Sequence, residues 1–306
     1  MATFGPIRAF VDDIADLSPN FRRIVFTGPD LDSLVTGSCF DQRIKLIFPT
    51  SGSLPVIADG ENWYREWLEI PENERGVMRT YSMRYLDRKN DQTRISVDFV
   101  MHEMDGVSGP AAQWAKNAAV SDEIVIIAPR DGAASGGIEF NSGDADRIVL
   151  LGDETAAPAI ARILEDLAKE QSTVPCTAYI EVPTNQDCVT IDAAPHHGVT
   201  WLPREGALHG SRLAPALGWD VSDDARISAV SPDRAEDDLV WETPAYSSAG
   251  ECVSDISAPV HGTYYWIAGE SGVVKQLRRF LVNEIGVDRS QVAFMGYWRE
   301  GVSMKG

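Results

Sequence analysis

The amino-terminal part of the chain carries short segments in which apolar and polar residues alternate. This period of two is typical of β-strands, and Gly, Pro, Asp and Asn residues separate the segments. The predicted strands are Arg23–Thr27, Arg43–Phe48, Ile95–Val100 and Glu123–Ile127. A helix is predicted over Pro110–Ala119. Together these elements predict a small antiparallel β-barrel with one helix packed at its end.

The pattern changes after a glycine-rich stretch at residues 132–137, because strand-like segments now alternate with longer segments of helical periodicity. This order is typical of an α/β domain with a parallel sheet. The strands are Arg147–Leu151, Thr177–Val182, Gly198–Leu202, Thr263–Ala268 and Gln291–Gly296, and the helices are Ala157–Lys169 and Val273–Ile285. We therefore predict two domains, residues 1–145 and residues 146–306. An acidic stretch between Asp220 and Asp255 is predicted mainly as loop.

The composition is that of a globular protein, with 44% hydrophobic and 24% charged residues. No apolar run approaches the roughly 20 residues that span a bilayer, so we expect no stable membrane association. The first residues lack the basic and apolar blocks of a secretory signal, which predicts a cytoplasmic protein. A net charge of -19 argues against a general nucleic-acid binder, because such proteins neutralise phosphates with Lys and Arg.

The cysteines and most histidines are scattered without the spacing of metal ligands or of a disulfide framework. They are Cys39, Cys176, Cys188, Cys252, His196, His197, His209 and His261. We therefore expect reduced thiols, loop histidines and no metal site.

The segment from Arg79 to Arg84 combines three kinds of cofactor chemistry within six residues. A guanidinium binds a phosphate, an aromatic ring covers a flavin face, and a hydroxyl reaches the flavin N5 edge. The alternative is an edge strand with two solvated arginines and a half-buried tyrosine. The segment resembles the R-x-Y-[ST] flavin motif of the ferredoxin-NADP reductase superfamily, and its second arginine is similar to the form found in siderophore-interacting proteins.

The resemblance implies that Arg79 binds an FAD phosphate, Tyr81 packs on the isoalloxazine ring and Ser82 reaches the redox-active ring edge. Tyr81 and Ser82 are thus the predicted catalytic residues. Further cofactor contacts are implied for Thr80, Asp98, Phe99, Val100 and His102.

The sequence Gly-Pro-Ala-Ala-Gln-Trp at residues 109–114 opens the predicted helix. Small residues at a helix amino terminus let backbone N–H groups approach a pyrophosphate, which predicts contacts from Gly109, Pro110, Ala111 and Ala112. The family usually has Ser at the last of these positions, so backbone donors must suffice here. Trp114 either packs the helix against the barrel or touches the adenine side of the cofactor.

Residues 149–159 form a strand, a tight turn and a helix start, which is the setting of a dinucleotide crevice although the full G-x-G-x-x-G fingerprint is absent. The segment resembles the family's G-D-E-T-A-x-P-A signature. Residues 266–270, 277–279 and 296–299 are similar to its W-x-A-G-E, L-R-R and G-Y-W-R signatures. The implied nicotinamide-site residues are Gly152, Asp153, Glu154, Thr155, Gly269, Glu270, Tyr297 and Trp298.

Two residues bear on the choice of dinucleotide. Arg204, after a strand, is a candidate ligand of the 2'-phosphate of NADPH, whereas Glu181 at the end of another strand favours the free ribose hydroxyl of NADH. Both NADPH and NADH therefore stay open, with NADPH preferred.

The resemblance implies a two-domain flavoprotein, an antiparallel β-barrel followed by a nicotinamide-binding α/β domain, that reduces ferric siderophores with NAD(P)H and releases Fe(II) in the cytoplasm. It also implies a basic substrate pocket, for which Lys45, Arg84 and Lys275 are the candidates; the alternative is three separately solvated charges. A general flavin or ferredoxin-type reductase, and a non-catalytic siderophore-binding flavoprotein, are the rival functions.

Overall fold

The computed structural model describes residues 4–34, 37–50, 52–89, 92–101, 109–130, 136–219, 241–243, 246–247 and 261–301. The chain divides into two compact units, with the division between Ile138 and Glu139.

The first unit is built on an antiparallel sheet of seven strands in the order β4-β3-β7-β1-β2-β6-β5. The strands are β1 (Phe4–Ser18), β2 (Phe21–Thr27), β3 (Arg43–Phe48), β4 (Val77–Ser82), β5 (Tyr85–Lys89), β6 (Gln92–Val100) and β7 (Glu123–Pro129). Their inward-facing residues, such as Ile24, Phe26 and Leu46, are fully buried in one core. Helix α1 (Trp63–Glu69) packs Trp67 into a smaller cluster, and helix α2 (Pro110–Asn117) contributes Ala111 and Ala115 to the main core.

The second unit contains a sheet in the order β10-β9-β8-β13-β14-β11-β12. The strands are β8 (Arg147–Gly152), β9 (Cys176–Val182), β10 (Gly198–Pro203), β11 (Trp241–Thr243), β12 (Tyr246–Ser247), β13 (Thr263–Glu270) and β14 (Val292–Trp298). The first three and β13 and β14 pair in parallel, whereas β11 and β12 pair antiparallel at one edge. The chain adds β9 and β10 on one side of β8 and then β13 and β14 on the other side, so the strand order reverses between β8 and β13. In open α/β sheets, ligands bind in the crevice at such a reversal.

The helices of the second unit are α3 (Ala157–Lys169), α4 (Leu213–Ala216) and α5 (Ser271–Arg279). The helix predicted over Val273–Ile285 is α-helical as far as Arg279, and a π-helix follows at Phe280–Ile285. Short strands β11 and β12 lie within the acidic stretch that was predicted mainly as loop; most of that stretch lies outside the described residues.

Both predicted sheet types are confirmed: an antiparallel sheet in the first unit, and a parallel α/β sheet in the second. In the described part of the chain, no helix has the length and apolar character needed to cross a membrane.

Candidate functional site

Strand β4 presents Arg79 and Tyr81 on one face of the first sheet. Their partners across the ladder to β3 are Leu46 and Ile44, which belong to the main core. The Tyr81 ring lies 4.7 Å from that of Phe99, centroid to centroid. Because side chains two apart on a strand share a face, the arginine and the tyrosine of the motif point to the same side.

The guanidinium of Arg79 is half-buried and Nη1 donates to the carbonyl of Met78 at 2.7 Å. Among the residues that the structure describes, no carboxylate lies within ion-pairing distance of it. Burial lowers the pKa of Arg79, since a desolvated cation without a counter-ion is unfavourable. A phosphate would supply the missing negative charge with a fork-shaped pair of hydrogen bonds.

Helix α2 packs against β3, β4 and β6, beside the strand that carries Arg79. Its N-cap is Gly109, no side chain caps it, and Pro110 occupies the first turn. A Cβ added at Gly109 would meet no atom of the described residues within 4 Å, so none of these residues blocks the approach to the helix terminus. The first backbone N–H groups of a helix have no partner within it, so Ala111 and Ala112 offer donors to an anion. The donor set therefore fits the pyrophosphate of FAD.

The two residues predicted as catalytic differ in exposure. Ser82 is buried at the end of β4, opposite Arg43 on β3, whereas the Tyr81 ring is half-buried. Burial raises the pKa of Tyr81 further above its ordinary value, which is already well above neutral pH. Thr80 is exposed and its Oγ1 accepts a hydrogen bond from Lys45 Nζ at 3.1 Å. The catalytic assignment itself stays a prediction.

Asp98 is held by two arginines. Arg23 Nε and Nη2 donate to its two oxygens at 2.6 and 2.8 Å, and Arg84 Nε lies 3.6 Å from Oδ2. Arg84 is only 3% exposed and stacks over Tyr85 at 4.0 Å. These contacts give both residues a structural role. The geometry therefore does not favour a cofactor contact for Asp98 or a substrate contact for Arg84, and both assignments stay predictions.

The aromatic neighbours of the motif form the core beneath it. Phe99 is fully buried, and the Trp114 ring lies 5.3 Å from Phe48 and 6.3 Å from Phe26. These contacts agree with the packing alternative for Trp114. Val100 is half-buried, and the predicted contact His102 lies outside the described residues.

In the second unit, Asp153 joins three segments. Its Oδ1 accepts hydrogen bonds from the backbone N–H and hydroxyl of Thr155, and its Oδ2 accepts from Glu270 N at 2.7 Å and Trp298 Nε1 at 2.8 Å. Burial, with a smaller contribution from Glu154, raises the pKa of Asp153. The backbone N–H and the hydroxyl of Thr155 both donate to Asp153. This geometry does not favour the predicted contact of Thr155 with a diphosphate.

Two glycines allow this close approach. A Cβ at Gly152 would lie 2.5 Å from the Cβ of Ala156, and one at Gly269, whose φ is +143°, would lie 2.5 Å from Asp153 Oδ2. Only glycine therefore fits at either strand end. Glu270 begins α5 as its N-cap, because its Oε2 accepts from Val273 N at 2.8 Å.

Arg204 is buried between two carboxylates. Its Nη1 and Nη2 donate to Glu154 at 2.6 and 2.7 Å, and Nη1 lies 3.3 Å from Glu181 Oε1. Glu181 also accepts from Gly210 N and Arg212 N, and it is fully buried. Arg204 is 6% exposed, so neither it nor Glu181 is presented to a ribose. The assignment of Arg204 to the 2'-phosphate stays a prediction that its ion pairs do not favour.

A small pocket lies at the ends of β8 and β13. Its polar lining consists of Asp153, Glu270 and His209, and its base is apolar. His209 lies in the loop between β10 and α4, where the sequence has no motif and predicts only a loop histidine. Tyr297, near the end of β14, is half-buried and packs edge-on against Trp266, with 6.4 Å between ring centroids.

The remaining substrate candidates are exposed lysines. Lys45 lies on β3, where burial of its ammonium and the charge of Arg43 lower the pKa. Its side chain is exposed, and its amine donates a hydrogen bond to Thr80. Lys275 lies on the exposed side of α5.

The comparisons with known proteins agree with both units. Residues 10–133 match the family model of the siderophore-interacting FAD-binding domain, and residues 145–301 match that of the siderophore-interacting protein. An uncharacterized protein of Mycobacterium tuberculosis is 29% identical over 303 residues, 97% of this chain and 91% of that protein. The NADPH-dependent ferric-chelate reductase of Escherichia coli is 25% identical over 287 residues, 92% of this chain and 88% of that protein.

Solved structures share the fold. A siderophore utilization protein from T. fusca is 26% identical with a TM-score of 0.70, over 100% of this chain and 97% of that chain. A ferredoxin reductase of carbazole 1,9a-dioxygenase, 15% identical with a TM-score of 0.57 over 96% of this chain and 70% of that chain, shows the fold alone. The predicted ferredoxin-NADP reductase-like fold is thereby confirmed, and the chain belongs to the siderophore-interacting protein family.

Proposed function

We propose that this protein is an FAD-dependent NAD(P)H:ferric-siderophore oxidoreductase that releases Fe(II) in the cytoplasm. The observation that carries the proposal is the half-buried Arg79, a cation without a carboxylate partner among the described residues, on a strand that contacts helix α2, whose amino terminus has no side-chain cap. In a family with an FAD-binding domain, this arrangement supports binding of the FAD diphosphate. The name of the Escherichia coli relative supports the ferric acceptor and the nicotinamide donor.

Bound FAD would supply the conversion of a two-electron hydride donor into one-electron transfers, so that one NAD(P)H would reduce two ferric ions and leave NAD(P)+ and a proton. Arg79 and the N–H groups of Ala111 and Ala112 would hold the cofactor diphosphate. The Tyr81 ring would pack on the flavin ring, and Ser82 would offer a hydroxyl to the ring edge. Hard oxygen donors hold Fe(II) more weakly than Fe(III), so reduction favours release of the iron.

An anaerobic stopped-flow experiment tests this function. We expect NADPH or NADH to bleach the flavin absorbance and a ferric chelate then to restore it, with two Fe(II) trapped by a chromogenic chelator for each dinucleotide oxidised. A non-catalytic siderophore carrier would bind the chelate without reoxidation of its flavin. A general reductase would instead transfer electrons to free flavin or ferredoxin faster than to any ferric chelate.

The substrate contact proposed for Lys275 gives a second test. We expect Lys275→Glu to weaken binding of an anionic ferric catecholate about ten-fold, since a partly exposed attraction becomes a repulsion of similar size. Acidic groups elsewhere on the surface matter less, because at 0.1 M salt the screening length is about 10 Å. Quenching of flavin fluorescence by the chelate measures the affinity.

The matched control is Lys169→Glu, which makes the same charge change at an exposed position at the end of α3. A neutral ferric chelate provides the second control. Equal weakening for both chelates, or equal effects of both variants, would remove Lys275 from the substrate site.

A further inference from the structure

The carboxyl ends of three neighbouring strands in the second unit are joined by one buried side chain. Asp153 follows β8, and its carboxylate accepts hydrogen bonds from Glu270, at the end of β13, and from Trp298, at the end of β14. These strand ends lie beside the reversal of strand order, where ligands bind in open α/β sheets. The side chain that joins them therefore determines how this edge of the sheet is arranged.

The hydrogen bonds of Asp153 show how it can act. Its Oδ1 accepts from the backbone N–H and the hydroxyl of Thr155, and its Oδ2 accepts from Glu270 N at 2.7 Å and from Trp298 Nε1 at 2.8 Å. These four donors match the roughly four lone-pair sites of a carboxylate. Asp153 is also only 3% exposed. It therefore acts on a ligand through the groups that it holds, and not by direct contact.

The backbone around this carboxylate is shaped to admit it. A Cβ at Gly269 would lie 2.5 Å from Oδ2 of Asp153. The pairing of β13 with β14 is irregular at the same place, because Gly269 pairs with Gly296 whereas Glu270 pairs with Trp298. One extra residue of β14 lies in this bulge, and bulges next to functional sites re-aim side chains. Here the bulge places Trp298 opposite Glu270, and both donate to the same oxygen.

The indole of Trp298 is held by further contacts. Its ring packs edge-on against His209, with 4.9 Å between ring centroids, and its backbone carbonyl accepts from the Ser271 hydroxyl at 2.9 Å. The hydrogen bond to Asp153 directs the indole N–H. The side chain at the end of β14 is thus oriented by the residue that follows β8.

We infer that Asp153 is a positioning residue for the proposed reaction, because its carboxylate fixes the turn at Thr155, the start of α5 at Glu270 and the indole of Trp298 in one arrangement. This inference rests on the proposed function, since it assumes that the second unit presents NAD(P)H to the flavin. Functional groups need to be held within about 0.5 Å of their productive positions. Loss of this arrangement should therefore slow flavin reduction and leave FAD binding by the first unit unchanged.

Asp153→Asn tests the inference with almost no change in side-chain volume. Each carboxylate oxygen accepts from a backbone N–H, of Thr155 or of Glu270, so the amide NH2 faces a fixed donor in either orientation. We expect the rate constant for flavin reduction at saturating NAD(P)H to fall about ten- to a hundred-fold, with unchanged FAD affinity. Asp144→Asn, the same change at an exposed position before β8, is the matched control and should have the wild-type rate.

Trp298→Phe is the second variant, because it keeps an aromatic ring beside His209 and removes only the indole N–H donor. We expect a smaller loss of rate, about three- to ten-fold, which corresponds to one hydrogen bond. If Asp153 acts partly through this indole, the two losses are coupled, and the double variant should be no slower than Asp153→Asn alone.

NMR of the 15N-labelled apoprotein gives a readout that needs no turnover. The indole N–H signal that disappears in Trp298→Phe identifies this side chain. It should move upfield in Asp153→Asn, because a hydrogen bond to a carboxylate deshields the proton, and it should stay in place in Asp144→Asn.

Four results would overturn the inference: a wild-type rate in Asp153→Asn, a wild-type rate in Trp298→Phe, additive losses in the double variant, or an unmoved indole signal. If urea denaturation shows that Asp153→Asn does not fold, the rate of Trp298→Phe decides between the two outcomes. A wild type whose flavin NAD(P)H does not reduce would remove the proposed function and the inference together. A wild type that is reduced normally, with variants equally fast, would remove the inference alone.

Discussion

Arg204→Met is expected to lower the free energy of unfolding by about 3–5 kcal/mol, because it leaves two buried carboxylates without their cation. Arg204 is 6% exposed, and both Glu154 and Glu181 are fully buried. Urea denaturation of the purified protein measures the change. Arg147→Met, at an exposed position at the start of β8, is the matched control in the same unit and should change stability little.

The decrease in the free energy of unfolding caused by Arg204→Met should depend on pH. Burial already raises the pKa of Glu181, and removal of Arg204 raises it further. The folded variant then binds more protons than the unfolded chain, so its stability falls as pH rises above the ordinary range of a glutamate. The difference from wild type should therefore be larger at pH 8 than at pH 5, and Arg204→Met combined with Glu154→Gln should recover part of it. A selective increase in KM for NADPH at unchanged stability would instead support the 2'-phosphate role.

The strands of the two sheets could be predicted where apolar residues alternate or cluster. The long strand β1 was missed because only its first half alternates, and its second half carries Asp12, Asp13 and Asp16 at half-buried or exposed positions. Helix α1 was missed because seven residues with one buried side chain, Trp67, give no helical period. Tertiary packing, and not local pattern, determines both elements.

In the candidate site too, tertiary contacts that the local sequence does not reveal determine what the ionisable residues do. A position after a strand made Arg204 a reasonable phosphate ligand. Glu154 follows β8, however, and Glu181 lies near the end of the neighbouring parallel strand β9, and both form ion pairs with Arg204. The packing of His209 could not be predicted from its own segment, since the ring that it contacts, Trp298, lies 89 positions further along the chain. Conversely, Arg79 and Tyr81 could be predicted to act together, because residues two apart on a strand share a face.

Arg79→Ala is expected to reduce the affinity for FAD roughly ten-fold to more than a hundred-fold, because a charge-assisted hydrogen bond to a phosphate contributes about 1.5–3 kcal/mol. Arg79→Lys keeps the charge but loses the fork-shaped donor pair, so we expect an intermediate affinity. Titration of the apoprotein with FAD, followed by flavin fluorescence, measures all three proteins. Arg88→Ala, at an exposed position on β5 of the same unit, is the matched control.

Stability separates this role from a structural one. Arg79 has no carboxylate partner among the described residues, and burial of its cation is unfavourable, so the alanine variant without FAD should unfold at the same or higher urea concentration than wild-type apoprotein. Added FAD should then stabilise the wild type much more than the variant, because stabilisation by a ligand follows its concentration relative to its dissociation constant. An apoprotein variant that is itself less stable would point to a packing role for Arg79. A folded variant that binds FAD as tightly as the wild type would contradict its assignment to the cofactor phosphate.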